Sequence, residues 1–169
     1  MKTKQSLNEK VTNKRRAEIA NGANKYRTAC ALFIRLHCDV GSGSGYSWYY
    51  PDRMGHKGGH SGPSVAVQKA SHAAAYFLNE GMKARLAGSL RNNPIKTDAA
   101  TFVGGKQGGV LTGSIYSEVP TALIEMCYIN NKRDARFIAS PQGRIKMAQA
   151  LTDGILQWRA NYLKYWQVR

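Results

Sequence analysis

Two short segments, far apart in the chain, each end in a side chain that can do chemistry. Residues 32–39 read Leu-Phe-Ile-Arg-Leu-His-Cys-Asp, and residues 120–131 read Pro-Thr-Ala-Leu-Ile-Glu-Met-Cys-Tyr-Ile-Asn-Asn. Both are apolar runs of strand length; the first delivers His37 and the second Glu125. A neutral imidazole is a zinc ligand, and a carboxylate either binds zinc or takes a proton from the water on it. Catalytic groups often stand at the carboxyl ends of buried parallel strands, where the next loop opens to solvent. Two such ends meet at one edge when their strands are neighbours. Taken singly, each residue also has a structural reading. A strand-end histidine is commonly a packing residue, and a carboxylate in an apolar run needs a partner, such as one of the 25 basic residues.

The other candidates carry less. Residues 51–63 are polar and glycine-rich and hold His56 and His60. They read as a flexible surface loop near a substrate groove, from which either histidine could reach a metal and complete its shell. His72 falls among alanines of a helical stretch and reads as a surface or packing residue. Cys30, Cys38 and Cys127 are an odd, sparse set with no disulfide framework, and read as small buried hydrophobes. A cysteine nucleophile paired with histidine is the sharper alternative, but strand neighbours point to opposite faces, so Cys38 should face away from His37. The stretch from Gly104 to Gly109 lacks the pattern of a phosphate-binding loop.

The elements that must position these groups follow from periodicity and punctuation. A helix is predicted over residues 7–30, with Gly22 weakening its middle. Residues 31–37, apolar except for Arg35, predict a buried strand. The Gly/Ser-rich stretch from Val40 to Gly45 must be a loop, and Tyr46 to Tyr50 reads as an aromatic strand stopped by Pro51. Ser64 caps a long helix running to about Leu86. Thr101 to Val103 reads as a short strand, with a turn at Thr112 to Gly113, and Thr121 to Met126 as the second buried strand. Ser140 caps a last helix with Pro141 at its first position. The helix carries Leu151, Ile155, Trp158, Tyr162, Tyr165 and Trp166, its aromatics serving mostly as core and interface. Alternating strands and helices imply an α/β sandwich of three layers, with a mainly parallel or mixed sheet flanked by helices.

Composition sets bounds. The 169 residues suffice for one domain with a real core. Basic residues outnumber acidic ones 25 to 10, giving a net charge of +15. Self-repulsion at that charge points to a polyanionic partner: nucleic acid, an anionic membrane or an anionic wall polymer. Basic residues are spread along the chain without interleaved exposed aromatics, so a nucleic-acid-binding domain is the least favoured and no nucleic acid is expected. Neither a signal peptide nor a transmembrane segment is visible in the sequence.

The two segments resemble blocks of the zinc-dependent N-acetylmuramoyl-L-alanine amidases of the amidase-3 type. Residues 35–39 resemble that family's (S/R)-(I/L)-H-(A/C)-(N/D) strand end, and residues 120–131 its glutamate block. Residues 16–21, Arg-Ala-Glu-Ile-Ala-Asn, resemble its R-x-x-I-A-N helix; Gly45 to Pro51 resemble its aromatic strand, and Asp134 to Phe137 with Ser140-Pro141 its N-x-x-D-x-R-x-L-x-S-P turn. The resemblance spans about residues 11–160. It implies one catalytic domain, with His37 a Zn2+ ligand and Glu125 the general base and acid. The implied reaction is hydrolysis of the amide between N-acetylmuramic acid and L-alanine of peptidoglycan, in the periplasm or outside the cell at the wall; the chain itself is expected to be a monomer. The family's opening D-x-G-H-G-G strand and the helix after it, which carry two further zinc ligands, have no counterpart here. The chain is expected to be either a fragment lacking that amino-terminal part or a degenerate, wall-binding member, with an uncovered sheet edge in both cases. His56 and His60 lie after the His37 strand, the wrong side for the missing block.

Overall fold

The structure is a computed structural model that describes residues 11–24, 31–101 and 113–166. Four strands form one sheet: β1 (Phe33–Asp39), β2 (Ser47–Tyr50), β5 (Lys96–Thr97) and β6 (Thr121–Tyr128), in the order β1-β6-β2-β5. β1 runs parallel to β6, β2 antiparallel to β6, and β5 parallel to β2. β3 (Gly55–Lys57) and β4 (His60–Gly62) form a separate hairpin. The helices are α1 (Asn13–Asn24), α2 (Val65–Leu86), α3 (Lys132–Ala139) and α4 (Pro141–Trp166). This is the expected α/β architecture: a mixed sheet flanked by helices.

β6 lies between two strands and is buried on both faces along most of its length, which is why its sequence is nearly continuous in apolar residues. Alternation splits the sheet into two faces. Tyr46, Trp48, Ala122 and Ile124 meet Ala74, Leu78 and Met82 of α2 and Met147, Ala150 and Trp158 of α4 in the core. The opposite face carries Arg35, His37, Ser47 and Glu125. α2 and α4 pack along each other, and the reason is visible at two glycines. A Cβ on Gly81 would stand 2.7 Å from Asp153 O, and one on Gly154 2.7 Å from Leu78 O. The helix backbones therefore touch where no side chain intervenes. Arg85 of α2 and Asp153 of α4 close the same crossing with an ion pair.

Local chemistry explains the helix ends. Ser64 caps α2 by accepting from Val67 N at 3.3 Å, as its position predicts. Ser140 ends α3, donates to Phe137 O at 2.9 Å and accepts from Gly143 N at 3.0 Å, so one hydroxyl joins two helices. Thr12 accepts from Arg15 N and starts α1; residues 7–10 and 25–30 of the expected helix lie outside the described residues.

Three features differ from the expectation. Residues 51–63, read as a loop, contain the β3–β4 hairpin, made possible by Gly58 and Gly59 at φ +56° and +75° in its two-residue turn. Residues 132–139, read as a turn, form α3, because Asn131 accepts from both Arg133 N and Asp134 N. Thr101 follows a 3₁₀ turn (Asp98–Ala100) and is not in a strand; the rest of that expected strand lies outside the described residues.

Candidate active site

The parallel register sets His37 opposite Glu125, while on the other side of β6 Ser47 of β2 is Glu125's partner. The carboxylate is thus held on a central strand between an imidazole and a hydroxyl. Beyond His37 the register shifts, so that Asp39 pairs with Tyr128. The extra β6 residue lets Glu125 and Tyr128 serve one face although their numbers differ by an odd step. It also brings Cys127 beside Cys38, away from His37. Asp134 fixes this end of the sheet: its buried carboxylate accepts from Gly45 N at 2.6 Å and from Tyr128 N at 3.1 Å.

His37 Nδ1 lies 4.0 Å from Glu125 Oε1, too far for a hydrogen bond. The imidazole is 36% exposed and the carboxylate side chain 10%, so solvent reaches the first and barely touches the second. Among the described residues, nothing donates to Glu125 Oε2. Burial, then the Asp39 charge, pushes the Glu125 carboxyl up to about 7, while Arg35 pulls it back. Burial, then the charges of Arg35 and Arg16, holds the His37 imidazole below its ordinary value. Both partners are shifted towards their neutral forms, so the contact is not an ion pair. It is a neutral imidazole beside a carboxyl that titrates near neutral pH.

Arg35, two residues before His37 on β1, shares its face. Its Nη2 lies 3.4 Å from His37 Nε2. The guanidinium is buried and senses Arg16 of α1 and the buried carboxylate of Asp98, which accepts from Ser114 Oγ at 3.3 Å. Gly113 packs against the same side chain: a Cβ there would stand 3.7 Å from Arg35 Nη1. In the sequence Arg35 interrupts an apolar run and opens the stretch that resembles the family's strand end, with no chemical role attached to it. The signal was nonetheless present, because on a strand a residue two before a candidate ligand shares its face.

The remaining candidates are elsewhere. His56 bonds Ser61 Oγ at 2.7 Å within the hairpin, and His60 packs its ring on Tyr116. His72 stacks on Tyr50, a packing role. Cys127 is buried and its thiol is pushed up to about 12, chiefly by burial, which suits a core residue and not a nucleophile. Cys30 lies outside the described residues. Among the described residues, no three His, Cys, Asp or Glu side chains gather at metal-binding distances. A catalytic zinc needs about three protein ligands. Here a single imidazole is on offer, its Nε2 facing a guanidinium, and the described residues as arranged do not fit a resident zinc.

The fold has solved relatives. The apo N-acetylmuramyl-L-alanine amidase Ami1 of Mycobacterium abscessus superposes with TM-score 0.64 at 22% identity, over 87% of this chain and 61% of that one. The amidase AmiC2 of Nostoc punctiforme gives 0.60 at 20% identity, over 85% and 63%. The catalytic domain of the amidase CwlV from Bacillus (Paenibacillus) polymyxa var. colistinus gives 0.61 at 16%, over 92% and 70%. The chain thus spans less than two thirds of the length of the first two. These likenesses define the amidase-type α/β fold. The sequence profile of the amidase-3 family, described as N-acetylmuramoyl-L-alanine amidase, matches residues 1–157, and the chain belongs to that family. No curated protein sequence matches it.

Proposed function

We propose that this chain acts on peptidoglycan, hydrolysing the amide between the lactyl group of N-acetylmuramic acid and the L-alanine of the stem peptide. Family membership supplies the reaction class. The observation that carries the chemistry is Glu125: a nearly buried carboxylate with one oxygen lacking a donor among the described residues, titrating near 7. A base poised near the working pH takes a proton from attacking water and returns one to the leaving amine. The neutral imidazole of His37 borders the same space and is exposed enough to meet substrate. The +15 charge draws the protein to anionic wall polymers outside the cytoplasm, where it works as a monomer. Among the described residues, no helix is long and apolar enough to cross a membrane.

A second reading is favoured by the donor set: with one imidazole at the carboxylate and no third ligand among the described residues, the chain binds wall polymer without cutting it. The two separate in one experiment. Purified peptidoglycan is incubated with the chain, with added zinc or with chelator, and newly released L-alanine amino termini are quantified beside Glu125→Ala. Release lost in the variant supports the hydrolase. Retained sedimentation with peptidoglycan and no release supports the binder.

A further inference from the structure

We propose that Arg35 is the positioning residue of the His37–Glu125 pair, its guanidinium holding the imidazole in one tautomer and covering its Nε2. The inference rests on the reading of this pair as the reactive centre, and deepens it.

Donor inventory decides the tautomer. A guanidinium has only donors. The Arg35 Nη2 to His37 Nε2 contact at 3.4 Å is therefore a hydrogen bond only if Nε2 accepts. A neutral imidazole that accepts at Nε2 carries its proton on Nδ1. Nδ1 is the nitrogen turned towards Glu125 Oε1, at 4.0 Å. The N–H thus points at the carboxylate's side of the site, and a water or substrate oxygen between the two groups meets a donor on one side and an acceptor on the other. With Glu125 ionised, the opposite tautomer would set an N–H against the guanidinium and a lone pair against the carboxylate, unfavourable at both nitrogens.

The guanidinium is itself held. It is buried on β1, in the field of the Asp98 carboxylate, which Ser114 fixes from the neighbouring 3₁₀ turn (Ser114–Tyr116). Arg16 of α1 adds a second positive charge felt by His37. A divalent cation approaching Nε2 meets the Arg35 guanidinium and must displace it. Zinc binding through Nε2 of His37 is on this account antagonised by Arg35.

The test reads the ring directly and needs no turnover. Long-range 1H–15N correlation spectra of the full chain, recorded where His37 is neutral and Glu125 ionised, report which ring nitrogen bears the proton. The expected result is Nδ1–H in the wild type, kept in Arg35→Lys and lost or mixed in Arg35→Met. Zinc titration is expected to perturb the His37 ring at a concentration at least about tenfold lower in Arg35→Met than in the wild type. A wild type that is chiefly Nε2–H overturns the proposal, as does an Arg35→Met chain with unchanged tautomer and zinc response. If Arg35→Met fails to fold by its amide spectrum, the wild-type tautomer and the Arg35→Lys comparison decide alone. Absence of amide hydrolysis would count against the proposed reaction and leave this result intact, so the two failures are distinguishable.

Discussion

Glu125 faces His37 across the parallel β1–β6 pair, Oε1 4.0 Å from Nδ1, with the carboxylate buried and the imidazole open to solvent. Their spacing is set by the strand register, not by loops.

The first expected outcome concerns catalysis. If Glu125 is the base, Glu125→Gln lowers release of L-alanine amino termini from peptidoglycan by about 10²-fold or more, the usual contribution of such a group. The wild-type rate should rise with pH along an acid limb centred near 7, because only the deprotonated carboxylate accepts a proton. Rate measurements from about pH 5 to 9, spanning that limb, check both.

The same carboxyl makes stability depend on pH. Its value is raised from an ordinary 4.5 to about 7 in the folded chain, so the native state holds the proton more tightly than the unfolded state. Its stabilising contribution is full below about pH 4.5 and is lost as pH rises through about 7, a span worth roughly 3 kcal/mol. Denaturant melts of wild type and Glu125→Gln should therefore diverge across that window, the wild type losing ground as pH rises. A constant difference would argue against a buried, unpaired carboxyl.

Packing at the α2–α4 crossing should be intolerant. Gly154→Val puts atoms where Leu78 O lies 2.7 Å and Met82 Cγ 3.2 Å from the first added carbon. Overpacking of this kind costs about 1–3 kcal/mol. Gly22 of α1 has nothing within 4 Å of the same position, and Gly22→Ala should stabilise by about 0.5–1 kcal/mol through helix propensity. Thermal melts of the two variants should move in opposite directions.

Asp134 is expected to matter through what it holds. Asp134→Ala strands two backbone N–H groups, of Gly45 and Tyr128, at a cost of about 2–4 kcal/mol. Asp134→Asn keeps an acceptor and should lose less. Urea midpoints of the pair check the order.

The β1 edge is the place to look for self-association. Among the described residues β1 pairs on one side only, and Leu36 is 54% exposed. Unpaired edges with apolar side chains template pairing with other chains. Leu36→Lys should reduce concentration-dependent scattering of the purified chain on heating, with its melting temperature little changed.

Much of the frame was written in local sequence. The caps at Ser64 and Ser140, the apolar run around Glu125 and the aromatic strand before Pro51 act over a few residues, so their signals sit side by side in the chain. His37 and Glu125 stood out for the same reason, each a proton- or metal-competent side chain carried by an apolar segment. Register and faces, by contrast, came only with the assembled sheet. Periodicity could not set β1 parallel to β6 with residue 37 opposite 125, nor insert the shift that sends Cys127 to Cys38. It could not turn Arg35 onto the imidazole, keep His56 and His60 away in a hairpin, or leave Glu125 dry enough to titrate near 7. Those outcomes depend on which groups exclude water and which charges come within a few ångströms, and both are set by contacts between residues distant in the chain.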